Sequence, residues 1–336
     1  MAGLEAGESL GGRELRKRLR LGLVFAGALA LAAFAVSSAC QFVGGYASFK
    51  PHPCNVLPAS KFDENGLNTL VLSKQSDESC FWIDETEVTV ERYSTFLAAY
   101  AQAGGGYQQI PWDKMRCTWK TGPSDPVNET SDPCTALVAN AEDSPFLTTK
   151  PIRCVDWCDA KAFCVWAGKD LCSGQPNVFG GIEPQDLSDQ WGGACATNAG
   201  DSYPYGSVAV SGVCNVGLSA AGQCRALDHQ AMCAPTAVDD PSFRACTGGP
   251  GGAVDMIGNV AEWVQQCATS DAGPDPAPDT PCQHRGGSFD DTLDSPNSTC
   301  YGVASHLRRI RDRAIGLRCC AHLTTPEYKL AFPTAP

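Results

Sequence analysis

Two hydrophobic periods alternate along this chain. Cys80-Phe81-Trp82-Ile83-Asp84-Glu85-Thr86-Glu87-Val88 has the aromatic and β-branched content of a strand. Thr89 then offers an N-cap, and Val90, Tyr93, Leu97 and Tyr100 recur three and four residues apart, which predicts a helix with one apolar face. Residues 103–148 lose all period and are rich in Gly, Pro, Asp, Ser and Thr, so they read as an irregular excursion stapled through Cys117 and Cys134. Order returns with a short strand, Pro151 to Val155. Asp156 caps a second helix, Trp157 to Ala167, which Gly168 ends. Its buried stripe is Trp157, Ala160, Cys164 and Ala167, with Trp166 on a flank. Past Leu171 the pattern is loop-rich, with a tight aromatic turn at Ser202 to Gly206. His284 to Phe289 reads as a strand opening with close packing at its glycines, and Ile315 to Cys320 as a final central strand. Neighbours on a strand face opposite sides, so Cys319 and Cys320 require different partners.

One stretch combines anchoring and chemistry. In Asp255-Met256-Ile257-Gly258-Asn259-Val260-Ala261-Glu262-Trp263, the apolar positions Met256, Ile257, Val260 and Trp263 would hold a turn in the core. The side chains of Asp255 and Glu262 and the carbonyls of Gly258 and Val260 are then free to face one point. Oxygen-only donors on a tight turn suit a hard cation such as Ca²⁺. Simple turn capping by the two acids is the alternative.

Composition changes the picture outside this element. A basic cluster from Arg13 to Arg20 precedes Leu21 to Ala39, which carries no charge, and Ser37-Ser38-Ala39-Cys40 resembles a signal-peptidase or lipoprotein cleavage box. Residues 1–40 therefore read as a signal peptide or an N-terminal membrane or lipid anchor. Residues 41–78 read as a connecting arm pinned by Cys54, 79–325 as one domain and 326–336 as a tail. Each reading of the N-terminus puts the rest outside the cytoplasm, secreted or anchored by the N-terminal segment or by lipid at Cys40. Nineteen Cys agree, because disulfides persist in oxidising compartments. Setting Cys40 aside leaves eighteen, enough for nine pairs, and no Cys-x-x-Cys zinc clip is present. The net charge of −12 argues against nucleic-acid binding and suits divalent cations.

Six blocks, in order, resemble the formylglycine-generating enzyme, or sulfatase-modifying factor, family. They are Phe81 to Tyr93, Pro151 to Gly168, Tyr203-Pro204-Tyr205-Gly206, Asp255 to Trp263, Arg285 to Phe289 and Gly316 to Arg318. The resemblance implies an irregular, loop-rich α+β fold related to the C-type lectin-like fold. It also implies calcium at Asp255, Gly258, Val260 and Glu262. A second calcium site would begin at Asn215-Val216, with Asp239 or Asp240 as candidate carboxylates. Active family members hold copper between two Cys spaced Cys-x-x-x-x-Cys after Gly-Gly-Ser-aromatic. Here Asp291 and Pro296 stand at those positions, which a cuprous ion cannot use. Cys300 is the next thiol, and copper is not expected. The Leu-Pro-Thr-Glu block after the second helix is also replaced, by Leu171-Cys172-Ser173-Gly174.

The expectation is a calcium-stabilised binding or scaffolding module without copper oxidase activity, engaging a protein, peptide or glycan in the family's groove. Ser288, Asp290, Asp291, Arg308 and Arg311 are the groove candidates. The basic run Arg308, Arg309, Arg311 and Arg313 is either a solvated face paired with local carboxylates or an anion-recognition patch beside Asp290 to Asp294. The alternatives are a formylglycine-generating oxidase acting on client sulfatases, or another oxygen-dependent metalloenzyme lined by Asp290, Asp291 and Asp294. The five His show no shared face or metal spacing.

Overall fold

The computed structural model describes residues 53–63, 65–74, 79–102, 110–126, 134, 147–175, 181–182, 189–198, 200–217, 235–268 and 277–331. The basic cluster, the apolar run, Cys40, Cys224 and Cys233 lie outside them. Among the described residues no helix is long and apolar enough to cross a membrane.

Among the described residues twelve strands run in chain order: β1 (Ser60–Phe62), β2 (Thr69–Lys74), β3 (Cys80–Asp84), β4 (Asp170–Leu171), β5 (Gly181–Ile182), β6 (Thr247–Gly248), β7 (Ala253–Val254), β8 (Ala261–Cys267), β9 (Pro281–Arg285), β10 (Gly302–Leu307), β11 (Ile315–Leu317) and β12 (Cys319–His322). Four helices among the described residues accompany them: α1 (Val90–Gln102), α2 (Trp157–Trp166), α3 (Gln190–Cys195) and α4 (Thr325–Ala331). One sheet has the order β1-β2-β3-β12-β4, a second β11-β8-β9-β10-β5, and β6-β7 is a small ribbon. Only the β11–β8 pairing in the second sheet is parallel. One antiparallel sheet, one mixed sheet and few helices among the described residues make this an α+β fold.

Helix α2 forms as its pattern predicts. Asp156 accepts from the Asp159 amide at 2.9 Å while Asp159 reaches back to the Asp156 amide, a reciprocal cap. Lys120 bridges both carboxylates at 2.8 and 2.7 Å. The stripe of Trp157, Ala160, Cys164 and Ala167 is buried against Tyr93, Phe96 and Phe163. Helix α1 buries Tyr93 and Phe96 most deeply, with Val90, Leu97 and Tyr100 at the margin of the same core.

The sheets depart from expectation in four places. Within the segment read as a connecting arm, Ser60–Phe62 and Thr69–Lys74 are strands, and Leu70, Val71 and Leu72 are buried where β2 pairs with β3. Part of the segment read as a tail is helix α4. The strand at His284 begins earlier, at Pro281, and ends where Gly286 (φ +92°) turns the chain. Ile315 to Cys320 is two strands: β11 joins the second sheet, β12 the first, and the single residue between them, Arg318, crosses from one to the other.

Eight disulfides lock the described residues: Cys54–Cys80, Cys117–Cys158, Cys134–Cys154, Cys164–Cys319, Cys172–Cys320, Cys195–Cys300, Cys214–Cys246 and Cys267–Cys282. Cys319 and Cys320 take different partners, as alternation along a strand requires. Bonds in this number belong to an oxidising, extracytoplasmic compartment.

Candidate functional site: the Asp255 turn and the loop after Gly287

Three residues in the left-handed region make the turn: Asp255 (φ +56°), Gly258 (φ +80°) and Asn259 (φ +54°). Only glycine fits at Gly258, because a Cβ there would stand 2.4 Å from the Asn215 carbonyl oxygen. Asn259 tolerates the conformation because its side chain is fully used: its Nδ2 donates to Glu87 at 2.7 Å, and its Oδ1 accepts from the Thr236 amide and Asn215 Nδ2. The second carboxylate oxygen of Glu87 accepts from the Val260 amide at 3.0 Å. Glu87, quoted in sequence only as part of a strand, thus ties β3's continuation to the turn.

Glu262 is buried on β8 between two donors. Arg318 Nε donates to one oxygen at 2.9 Å and Trp191 Nε1 to the other at 2.7 Å. The rest of the Arg318 guanidinium donates to the carbonyls of Asp84 (2.9 Å), Glu85 (2.8 Å) and Val254 (2.7 Å). Asp255, also buried, accepts from the Asp239 amide at 3.1 Å. Glu87, Asp255 and Glu262 therefore face a single guanidinium. Burial first, then the charges of Asp255 and Glu262, hold Glu87 well above the ordinary carboxylate range. Burial raises Asp255 to about 6.

The turn fits a hard cation in its donor chemistry. Among the described residues no backbone amide outside the strand ladders donates to the Gly258 or Val260 carbonyl. Asp255 and Glu262 are both buried, and with Glu87 they meet a single guanidinium, that of Arg318. Both Glu262 oxygens, however, already accept one hydrogen bond each. No group of three His, Cys, Asp or Glu side chains converges on a metal position among the described residues. Asn215 lies in this same turn, its carbonyl accepting from the Asn259 amide at 2.8 Å, and Val216 packs in the core beside it. Asp239 meets Asp255 through its amide, whereas Asp240 caps a short 3-10 helix.

The loop after Gly287 is held by its own side chains. Asp291, at one family thiolate position, accepts from the Ser288 amide at 2.8 Å and the Ser288 hydroxyl at 2.9 Å, so it acts as a turn brace. Pro296, at the other, uses its carbonyl to accept from Thr299. Cys300 is bonded to Cys195 and is not a thiol. Its carbonyl accepts from Arg285, which also pairs with Asp189 at 2.6 Å, a buried contact with no local sequence signal. Asp290 pairs with Arg313 on the surface.

Arg308 requires a correction. It was expected on an exposed basic run or in the groove, yet it is buried, its guanidinium 4.6 Å from the rings of both Trp119 and Trp157 and against the Cys117–Cys158 disulfide. Cation–π contact with two rings explains why it is held there. Arg309 does pair with a local acid, Asp279, and Arg311 sends its charge toward Tyr93. His284 and His306, unrelated in sequence spacing, meet across β9 and β10 at 3.2 Å, and burial pushes His284 down to about 3.

This arrangement, an irregular mixed-sheet domain organised on a Gly-Asn turn and a Gly-Gly-Ser loop, defines the class. The family described as "Sulfatase-modifying factor enzyme 1-like domain" matches residues 61–323, and the chain belongs to it. No curated protein matches the chain. Solved structures similar to it include "Crystal Structure of CarF" at 17% identity, covering 79% of this chain and 96% of that one with a TM-score of 0.42. "Treponema denticola variable protein 1" is 15% identical, with 79% and 100% covered and a TM-score of 0.43. "Structure of PvdO from Pseudomonas aeruginosa" is 17% identical, with 79% and 98% covered and a TM-score of 0.40.

Proposed function

We propose that this chain is an exported, disulfide-locked binding module of the sulfatase-modifying factor family that lacks copper oxidase activity, with its ligand groove along Ser288 to Asp291. The carrying observation is the use of the thiols. All sixteen described Cys are paired, including Cys300, and Asp291 braces a turn at the position of a family thiolate. A Cu(I) ion needs two thiolates, and a disulfide supplies none. The oxygen-dependent alternative on Asp290, Asp291 and Asp294 is disfavoured because Asp290 and Asp291 are committed to Arg313 and Ser288. The test incubates the purified chain with Cu(I) and a Cys-x-Pro-x-Arg peptide and follows the peptide thiol by mass spectrometry. An unchanged thiol is expected; conversion that Cys300→Ser abolishes would overturn the reading.

Calcium belongs to the same proposal. Asp255 and Glu262, with the Gly258 and Val260 carbonyls, would hold it and it would neutralise the excess charge of the turn; Asn215 and Val216 support that turn. At free calcium 100 times its Kd the gain is about 2.7 kcal/mol. For a domain of this size that is a shift of roughly 5–10 °C in melting temperature. Chelation should remove the shift, and Asp255→Ala or Glu262→Ala should abolish the response. A melting curve indifferent to calcium would refute it. The disulfides support export, and a leader or anchor at residues 21–39, or lipid at Cys40, would deliver it.

A further inference from the structure

Two guanidinium groups converge on Phe289, the residue that follows Gly286-Gly287-Ser288. The Arg153 and Arg313 Cζ atoms lie 5.6 and 5.7 Å from its ring centroid. The backbone sets this arrangement: Arg153 Nη1 donates to the Arg313 carbonyl at 3.3 Å, and the Cys154 amide donates to the Asp312 carbonyl at 2.9 Å. Cys154, left-handed at φ +60°, is pinned further by its disulfide to Cys134. Two segments far apart in sequence thus present like charges to one spot.

The nearby acids do not balance them. Asp290 is the acid whose charge Arg153 feels among the described residues, and it is already paired with Arg313. The Asp312 carboxylate accepts from the Ala314 amide. Lys150 adds a third cation, close enough for Arg153 to lower its pKa, and burial and Arg313 together bring Arg153 down to about 10. In a chain of net charge −12, a half-buried guanidinium surrounded by other cations is a cost that needs a compensating partner. A guanidinium fork matches an oxyanion in both charge and shape.

We propose that Arg153, with Arg313 and Lys150 beside it, binds the oxyanion group of a ligand (a carboxylate, sulfate or phosphate) lying along the Ser288–Asp291 loop. The inference rests on the binding-module reading and gives its ligand a chemistry: an anion. Neither Arg153 nor Lys150 was among the site residues singled out from the sequence, where Arg153 lies 160 residues from Arg313.

The experiment titrates the purified chain with sodium sulfate, phosphate or acetate against sodium chloride of equal ionic strength, read by calorimetry and thermal melting. At least one oxyanion should bind saturably beyond chloride. Arg153→Gln should weaken that binding by about tenfold or more, the worth of a charged hydrogen bond. Asp290→Asn, which frees Arg313 of its internal partner, should tighten it. A response to sulfate or phosphate alone identifies a tetrahedral ester, and one to acetate a carboxylate. The proposal is overturned if no oxyanion exceeds chloride, or if Arg153→Gln binds as the parent does. Should Arg153→Gln fail to fold, an affinity unmoved by Asp290→Asn overturns it instead. Failure here leaves the non-oxidase reading standing, since that depends on the peptide conversion alone.

Discussion

Replacing Arg318 by Met tests the central junction. The guanidinium donates to Glu262 on β8, to the Asp84 and Glu85 carbonyls at the end of β3 and to the Val254 carbonyl of β7. Every one of these groups is distant in sequence, and Arg318 and Glu262 are fully buried. Removing one partner of a buried ion pair costs about 3–5 kcal/mol. Three carbonyls left dry add about 1 kcal/mol each. The sum, about 6–8 kcal/mol, approaches the whole stability of an ordinary domain. Met fills similar volume, so the loss is electrostatic rather than a cavity. With disulfides intact, the melting midpoint should fall by about 15–25 °C, or the chain should fail to accumulate in folded form. Arg318→Lys keeps the charge but not the fork and should fall between. Calorimetric scans of the parent, both variants and Glu262→Gln would decide. A midpoint for Arg318→Met within about 5 °C of the parent would show that these contacts do not join the sheets.

Gly258→Ala should cost more than about 2 kcal/mol by denaturant midpoint, since its Cβ would meet the Asn215 carbonyl at 2.4 Å. Gly66→Ala, left-handed but with nothing within 4 Å, should cost about 1 kcal/mol and isolates the conformational part. Burial and Asp159 raise Asp156 to about 7, so the folded state holds that proton longer than the unfolded chain does. Its contribution favours folding at low pH and declines as pH rises from the unfolded carboxylate range toward 7. Asp156→Asn keeps the helix cap and should flatten that slope in pH-dependent melts. His284 acts with the opposite sign: depressed to about 3, it lowers stability as pH falls below the ordinary histidine range, and His284→Asn should remove that loss. Native alkylation followed by mass spectrometry should leave Cys195 and Cys300 unlabelled until reductant is added.

Local patterns were legible. Helix α2 announced itself through Asp156 and an apolar stripe, both contained in residues 156–167. The divergent partners of Cys319 and Cys320 followed from strand alternation. The candidate turn was also readable, because its glycine, amide and acids are contiguous. Its supports were not: Glu87, Trp191 and Arg318 arrive from three other segments, and only tertiary packing brings them together. Arg308 misled for the same reason. Four arginines within six residues read as solvated, and the two tryptophans that enclose one of them are more than a hundred residues upstream. β2 was obscured by the prolines before it, and the switch at Arg318 by a run of apolar residues that suits one strand or two.

The pairings of Cys164 with Cys319 and Cys172 with Cys320 span 155 and 148 residues, and β11 and β12 complete one sheet each. Neither Cys164 nor Cys172 can find its partner until this closing segment has emerged. The two bridges that tie helix α2 and β4's neighbour Cys172 to β12 are therefore the last that the growing chain can make, and until then both cysteines stand open to wrong partners. Shortening the gene by even its final twenty-odd codons would produce no smaller version of the domain, only an unsealed one.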